Sequence, residues 1–263
     1  MLMAIDVGNT QIVVGLFADG GAGVGSGDLV HHWRVATHST FTADEFALQL
    51  SQLLALEGLD LGAVSGTAVA CVVPPLRLAL REVIGRRLPG PSVILEHGVR
   101  TGMPVLVDNP REVGADRIAD AVAAYERYGG PTIVVDFGTA TNFEVVSERG
   151  EYVGGVLFPG LEVSLNALSA RAAMLPRVDI APPRTVLGKN TVEQLQAGVF
   201  YGYGALVEGV CARIVAEVGP ATVVATGGLA PLVLGASPVI DHYEPWLTLY
   251  GLRAIYDRNQ ADD

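Results

Sequence analysis

Residues 134–150 read VVDFGTATNFEVVSERG, and residues 4–20 read AIDVGNTQIVVGLFADG. Each stretch runs an apolar strand into Asp-x-Gly-[Asn/Thr], turns, and leaves along a second apolar strand. Asp6 and Asp136 stand 136 − 6 = 130 positions apart, about half of the 263-residue chain. A self-similar pattern at that period describes a duplicated unit, and it sets the architecture before any motif is interpreted.

The elements around the two stretches follow one order. In the first half, strands are expected at 2–7, 11–18 and 29–36, with the glycine-rich GGAGVGSG (20–27) as a hairpin loop. No helix follows those glycines, so they fail the context of a dinucleotide-binding loop. Thr42-Ala-Asp-Glu45 matches a capping box and opens an apolar-periodic helix to Leu56. A buried strand (63–73), a helix begun by Pro74-Pro75 (75–88) and a strand at 92–96 complete the half.

The second half starts again with strands at 132–138, 142–148 and 151–157. Helices follow at 160–171 and 191–217, then a strand at 221–226, a short helix and a last helix from Pro245. Between the halves, Ile118, Val122 and Tyr125 mark a helix over 112–128. The expected fold is α/β, with two duplicated lobes (1–111 and 112–263) and a central cleft.

Composition narrows the function. A net charge of −11, with no basic run longer than Arg86-Arg87, argues against a nucleic-acid partner. Cys71 and Cys211 lie in apolar surroundings without metal spacing, as expected of buried, reduced thiols in a cytoplasmic protein. The first residues lack the basic start of a signal peptide, and no uninterrupted apolar run of about 18 residues suggests a membrane span.

The Asp-x-Gly turn carries chemistry. Its glycine lets a phosphate approach the backbone, and Asn9, Thr10, Thr139 and Thr141 add donors beside the turn amides. An aspartate there repels a phosphate unless a cation intervenes, and Mg²⁺ is held in that way by carboxylates, water and phosphate oxygens. One copy reads equally well as a favourable β-turn. Two copies at equivalent strand ends favour a pair of phosphate loops. Glu112 and Asp116 read either as helix-start acids or as functional carboxylates, and Arg117 as a substrate clamp or a partner of Asp120.

These residues resemble the acetate and sugar kinase, heat-shock ATPase and actin superfamily, whose duplicated ribonuclease H-like lobes carry Asp-x-Gly phosphate hairpins. More specifically, the chain resembles the type III pantothenate kinases. The matching blocks are DVGNT (6–10), DNPREVGADR (108–117), VVDFGTAT (134–141), GGVLFPG (154–160), LGKNT (187–191) and ATGGLA (225–230), in the family's order. The resemblance implies ATP-dependent phosphorylation of pantothenate, the first step towards coenzyme A. It implies that Asp6, Val7, Gly8, Asn9 and Thr10 bind the phosphates of ATP, with Asp6 organising Mg²⁺, and that Thr139 is a second ATP contact. It further implies that Gly114, Ala115, Asp116 and Arg117 face pantothenate, with Asp116 as proton acceptor. Asp136 would ligate a monovalent cation, K⁺ or NH₄⁺, and Thr191 would complete the pantothenate pocket within a homodimer.

The chain departs from the family at Val107, where a Tyr is common, and at Asn142 and Glu144, which replace Thr and Asp. An accessory role in transcription, described for some relatives, is the alternative. GKNT (188–191) lacks the spacing of a P-loop, His31-His32 lacks metal spacing, and the stripe Val199, Tyr203, Leu206, Val210 reads as a packing face.

Overall fold

Each Asp-x-Gly turn joins the first two strands of its own five-stranded sheet in the computed structural model, which describes residues 1–19, 28–172 and 174–260. The glycine-rich segment read as a hairpin loop lies outside the described residues.

The first sheet contains β1 (Leu2–Val7), β2 (Gln11–Phe17), β3 (Leu29–Ala36), β4 (Gly66–Cys71) and β5 (Ser92–Ile94), in the order β3-β2-β1-β4-β5. The second contains β6 (Thr132–Phe137), β7 (Ala140–Val146), β8 (Tyr152–Pro159), β9 (Thr222–Thr226) and β10 (His242–Tyr243), in the order β10-β9-β6-β7-β8. Read from its other edge, the second order is that of the first. In both sheets the first three strands are antiparallel and the last two run parallel to the first. The α/β fold with a duplicated unit is therefore as the repeat predicts.

The helices are α1 (Ala43–Ala55), α2 (Leu76–Arg87), α3 (Ala115–Tyr128), α4 (Leu161–Arg171), α5 (Thr191–Val218) and α6 (Leu247–Gln260). Helix α1 starts at the capping box read in the sequence: the Thr42 amide donates to Glu45 Oε2 at 2.9 Å, and the Glu45 amide donates to Thr42 Oγ1 at 3.3 Å. Helix α3 begins at Ala115 rather than 112. Pro110–Glu112 makes a 3₁₀ turn capped by Asn109, and Val113 is extended, so the helical ladder starts only after Gly114. In the second half two 3₁₀ turns, Ala230–Leu232 and Leu234–Ala236, stand where a short helix was expected, and β10 is an additional short strand.

The chain forms two compact units, Met1–Arg127 with the C-terminal segment from Leu247, and Tyr128–Trp246. The sequence boundary at 111/112 falls inside the first unit, which holds α3 as far as Arg127 and also α6. Its Leu247, Leu249, Leu252 and Ile255 are buried, and Leu249 packs where a Cβ on Gly15 of β2 would stand. Burying such side chains supplies most of the favourable free energy, about 25 cal/mol per Å² of apolar surface.

In the second unit the core lies against one face of the sheet, with Ile133, Val135, Phe137, Phe143 and Val145 meeting Tyr203, Val207, Cys211 and Ile214 of α5. Val199, Leu206 and Val210 pack at the edge of that core, so the stripe is a packing face within the unit. By length and composition α5 could cross a membrane, but it serves here as a sheet-covering helix. Cys71 and Cys211 are both buried and unbridged. His31 stacks on Trp33 and pairs with Glu57 at 3.4 Å.

Candidate active site

In the first unit, β1 delivers Asp6 to its C-terminal end, opposite Val13 of β2 and beside Ala70 of the parallel β4. Asp6 Oδ1 is shut off from solvent. Val7 is buried, Gly8 half-buried, and Asn9 and Thr10 exposed. The turn closes through the Gly8 amide, which donates to the Gln11 carbonyl at 3.0 Å. Residues Asp6 to Thr10 are thus one backbone feature, an exposed tight turn at the end of a buried strand.

The strand next to it leads towards the second candidate cluster. Val72, just beyond β4, donates its amide to the Val7 carbonyl at 3.1 Å. A Cβ on Gly114 would lie 3.5 Å from Val72 Cγ1 and would overlap Asp116 Oδ1. Asp116, in the first turn of α3, folds its carboxylate back on the helix start, where the Arg117 amide donates to Oδ1 at 2.8 Å. Burial pushes its carboxyl above the usual carboxylate range, and the helix-start hydrogen bonds and the Arg117 charge oppose that rise only in part. Ala115 and Arg117 are half-buried around it. Glu112, by contrast, is exposed and receives a hydrogen bond from Asn109 Nδ2 at 2.7 Å, so it braces the preceding turn.

In the second unit β6 delivers Asp136 to the equivalent place. The residue opposite is Asn142 of β7, and the parallel neighbour is Thr226 of β9. Asn142 is 9 % exposed, and its Oδ1 is buried with no hydrogen bond among the described residues. Directly opposed side chains in an antiparallel pair lie about 5 Å apart at Cβ, so this oxygen and the Asp136 carboxylate share one face. Glu144, two residues on, is fully buried on that face opposite Val134.

The turn after β9 closes on the same carboxylate. Gly227 adopts φ +90°, and a Cβ there would overlap Asp136 Oδ1 and sit 2.6 Å from the Phe137 carbonyl, which only glycine avoids. Thr139, exposed at the turn, accepts the Gly160 amide on its carbonyl at 3.0 Å. This approach by Gly160, and the hold on Asp136 by Gly227, were not read from the sequence; their signal was the glycine within GGVLFPG and ATGGLA.

Thr191 is exposed at the start of α5, where Asn190 caps the helix by accepting the Glu193 amide at 3.0 Å. It belongs to the second unit, and Gly114 to Arg117 to the first. Lys189 is exposed, and its amide donates to Glu193 Oε2 at 2.9 Å. Val107 is half-buried before the Asn109 turn. Among the described residues no group of three or more His, Cys, Asp or Glu could hold a metal ion unaided, so any cation here would share its coordination with backbone, amide, water or phosphate oxygens.

The sequence model of the type III pantothenate kinases matches residues 2–213. A type III pantothenate kinase of Streptomyces griseus subsp. griseus is 53 % identical over 269 residues, covering 98 % of each chain. That of Moorella thermoacetica is 52 % identical over 260 residues, covering 98 % of this chain and all of its own. Solved structures share the fold at low identity. A protein described as a Baf family transcriptional activator from Campylobacter jejuni superposes with a TM-score of 0.60 at 17 % identity, over 98 % of this chain and 99 % of its own. A ROK family glucokinase from Streptomyces griseus, solved with glucose and AMPPNP, gives 0.53 at 15 %, over 98 % of this chain and 99 % of its own. The paired sheets, the two Asp-x-Gly turns and full-length identity of about one half converge: this chain belongs to the type III pantothenate kinase family.

Proposed function

We propose that this chain transfers the γ-phosphoryl group of ATP to the primary hydroxyl of pantothenate, giving 4′-phosphopantothenate in the first step of coenzyme A synthesis. The observation that carries the proposal is the Asp116 carboxylate, half-buried, folded onto the start of α3 and raised in pKa. Phosphoryl transfer asks a protein for positioning, charge neutralisation and a proton acceptor for the attacking hydroxyl. Asp116 Oδ1 is engaged by the helix start, and Oδ2 accepts the hydroxyl proton. Gly114 and Ala115 form the backbone wall of the pantothenate pocket, and the Arg117 guanidinium clamps the pantothenate carboxylate. In a homodimer, Thr191 of the other subunit completes that pocket.

The turn from Asp6 to Thr10 holds the ATP phosphates, with Thr139 as a second contact from the other hairpin. Asp6, buried at one oxygen beside that turn, fits an Mg²⁺ carried in with the nucleotide. Bound there, Mg²⁺ would neutralise charge building on the phosphate oxygens. Asp136 fits a monovalent cation, K⁺ or NH₄⁺, because the buried Asn142 Oδ1 offers a neutral oxygen on the same face.

A homodimer is part of the proposal, supported by exposed Val186, Leu187 and Val192 next to Thr191. Buried, unbridged cysteines support a cytoplasmic setting, and the net charge of −11 supports a protein that leaves nucleic acid and membrane surfaces alone.

The test is Mg²⁺- and ATP-dependent formation of 4′-phosphopantothenate, run with K⁺ and again with Na⁺ as the only monovalent cation. Product with K⁺ alone is the expected result. Product in both salts would remove the cation role of Asp136, and none in either from folded protein would remove the kinase reading.

A further inference from the structure

Thr37 is the first residue beyond β3, and it grips the phosphate turn twice. Its amide donates to the Thr10 carbonyl at 3.0 Å, and its hydroxyl donates to the Gly8 carbonyl at 2.7 Å. Pairing of β2 with β3 ends at Gln11↔Ala36, so the hydroxyl bond lies outside the strand ladder. Within the turn, the Gly8 amide is already committed to the Gln11 carbonyl.

The peptide plane gives these bonds a direction. In a trans peptide the carbonyl and the following N–H point opposite ways. Holding the Gly8 oxygen towards Thr37 therefore aims the Asn9 N–H away from β3, out of an exposed turn. An amide aimed outward beside a buried strand end is the kind of donor that lines an anion concavity.

We propose that Thr37 is a positioning residue for nucleotide binding, its hydroxyl setting the Asn9 amide towards the polyphosphate. The inference rests on the reading of residues 6–10 as the phosphate turn. The bonds of Thr37 to this turn go to backbone carbonyls, those of Gly8 and Thr10, so it acts through the turn. Valine at 37 keeps the shape and the backbone amide and removes only the hydroxyl.

The experiment compares wild type with Thr37→Val, Thr37→Ser and Asp6→Asn. It reads KM for ATP, KM for pantothenate, thermal midpoint, and calorimetric affinity for Mg²⁺ with a non-hydrolysable ATP analogue. Thr37→Val should weaken ATP and analogue by about fivefold to tenfold, as expected for one net hydrogen bond, with the pantothenate KM unchanged. Thr37→Ser should restore both to within about twofold. Analogue affinity unchanged in Thr37→Val but lost in Asp6→Asn would overturn the role of Thr37 and leave the phosphate turn standing. Unchanged affinity in both would overturn the phosphate turn and the inference with it. Equal weakening towards ATP and pantothenate, with a lower midpoint that serine does not restore, would mark Thr37 as merely structural and also overturn it.

Discussion

In the first hairpin four residues, 8–11, separate the last strand pair Val7↔Ile12; in the second only three, 138–140, separate Phe137↔Thr141. The hydrogen bonds say which residue is extra. Gly8 bonds to Gln11 where Gly138 bonds to Ala140, and the Thr10 carbonyl takes the Thr37 amide where the Thr139 carbonyl takes that of Gly160. Thr10 is thus the counterpart of Thr139, and Asn9 has none. Beyond the turn the two registers agree, and the equivalent position facing the aspartate differs in chemistry: apolar Val13 opposite Asp6, polar Asn142 opposite Asp136. The two copies of the turn thus differ in two ways, by one residue in the loop and by the residue that faces the aspartate.

The largest effect expected is at Asp116, which serves as a reference for both turns. Asp116→Asn should cut kcat by roughly 10²- to 10⁴-fold, the usual worth of a positioned base. The sign for stability is opposite. A carboxyl whose folded pKa is raised stabilises the fold at low pH and loses that contribution as pH rises through the folded value. At pH 7 the charged form is therefore the costly one, and the asparagine variant should melt at a higher temperature than wild type. By the same shift, wild-type kcat/KM should fall with acid at a pH above the ordinary aspartate range. Near-normal turnover, or a lower midpoint, would break the assignment.

Next come the two hairpin aspartates, which should fail differently. Asp6→Asn should abolish analogue binding in either salt, whereas Asp136→Asn should keep turnover measurable and erase the difference between K⁺ and Na⁺. Identical phenotypes would mean that the one-residue difference has no functional weight. A smaller effect separates the residues that hold each turn. A Cβ on Gly160 would meet the Gly138 carbonyl at 2.5 Å, so Gly160→Ala should lower unfolding stability by about 1–3 kcal/mol in denaturant titration. Thr37→Ser, which keeps its bond, should stay within about 0.5 kcal/mol of wild type. The smallest change is Asn142→Thr, which keeps an oxygen opposite Asp136; it should shift the half-maximal K⁺ concentration and leave kcat unchanged at saturating K⁺.

Much of this was legible in the residues. The repeat of apolar strand and Asp-x-Gly gave the strand order, and Thr42 with Glu45 gave the start of α1. The extra residue at Asn9 was not legible, because matching the letters sets Asn9 against Thr139 and only hydrogen bonds reveal the slip. Likewise the resemblance singles out Gly114 without showing why a glycine stands there, which is that a Cβ would overlap the Asp116 carboxylate. The helix start at Ala115 was obscured because the periodicity of acids and apolar residues runs back through a 3₁₀ turn. Tertiary contact decided each of these, and local pattern carries little trace of it.

The two thiols bear on how the molecule can be studied. Burial pushes the Cys211 thiol up to about 12 and raises that of Cys71 as well, so neither offers thiolate near neutral pH. A cysteine introduced at an exposed position such as Asn9 or Thr139 would then be the one nucleophile that a maleimide dye or nitroxide meets. Each Asp-x-Gly turn can in this way be tested for nucleotide arrival by fluorescence or electron spin resonance, in a chain whose native cysteines stay in place.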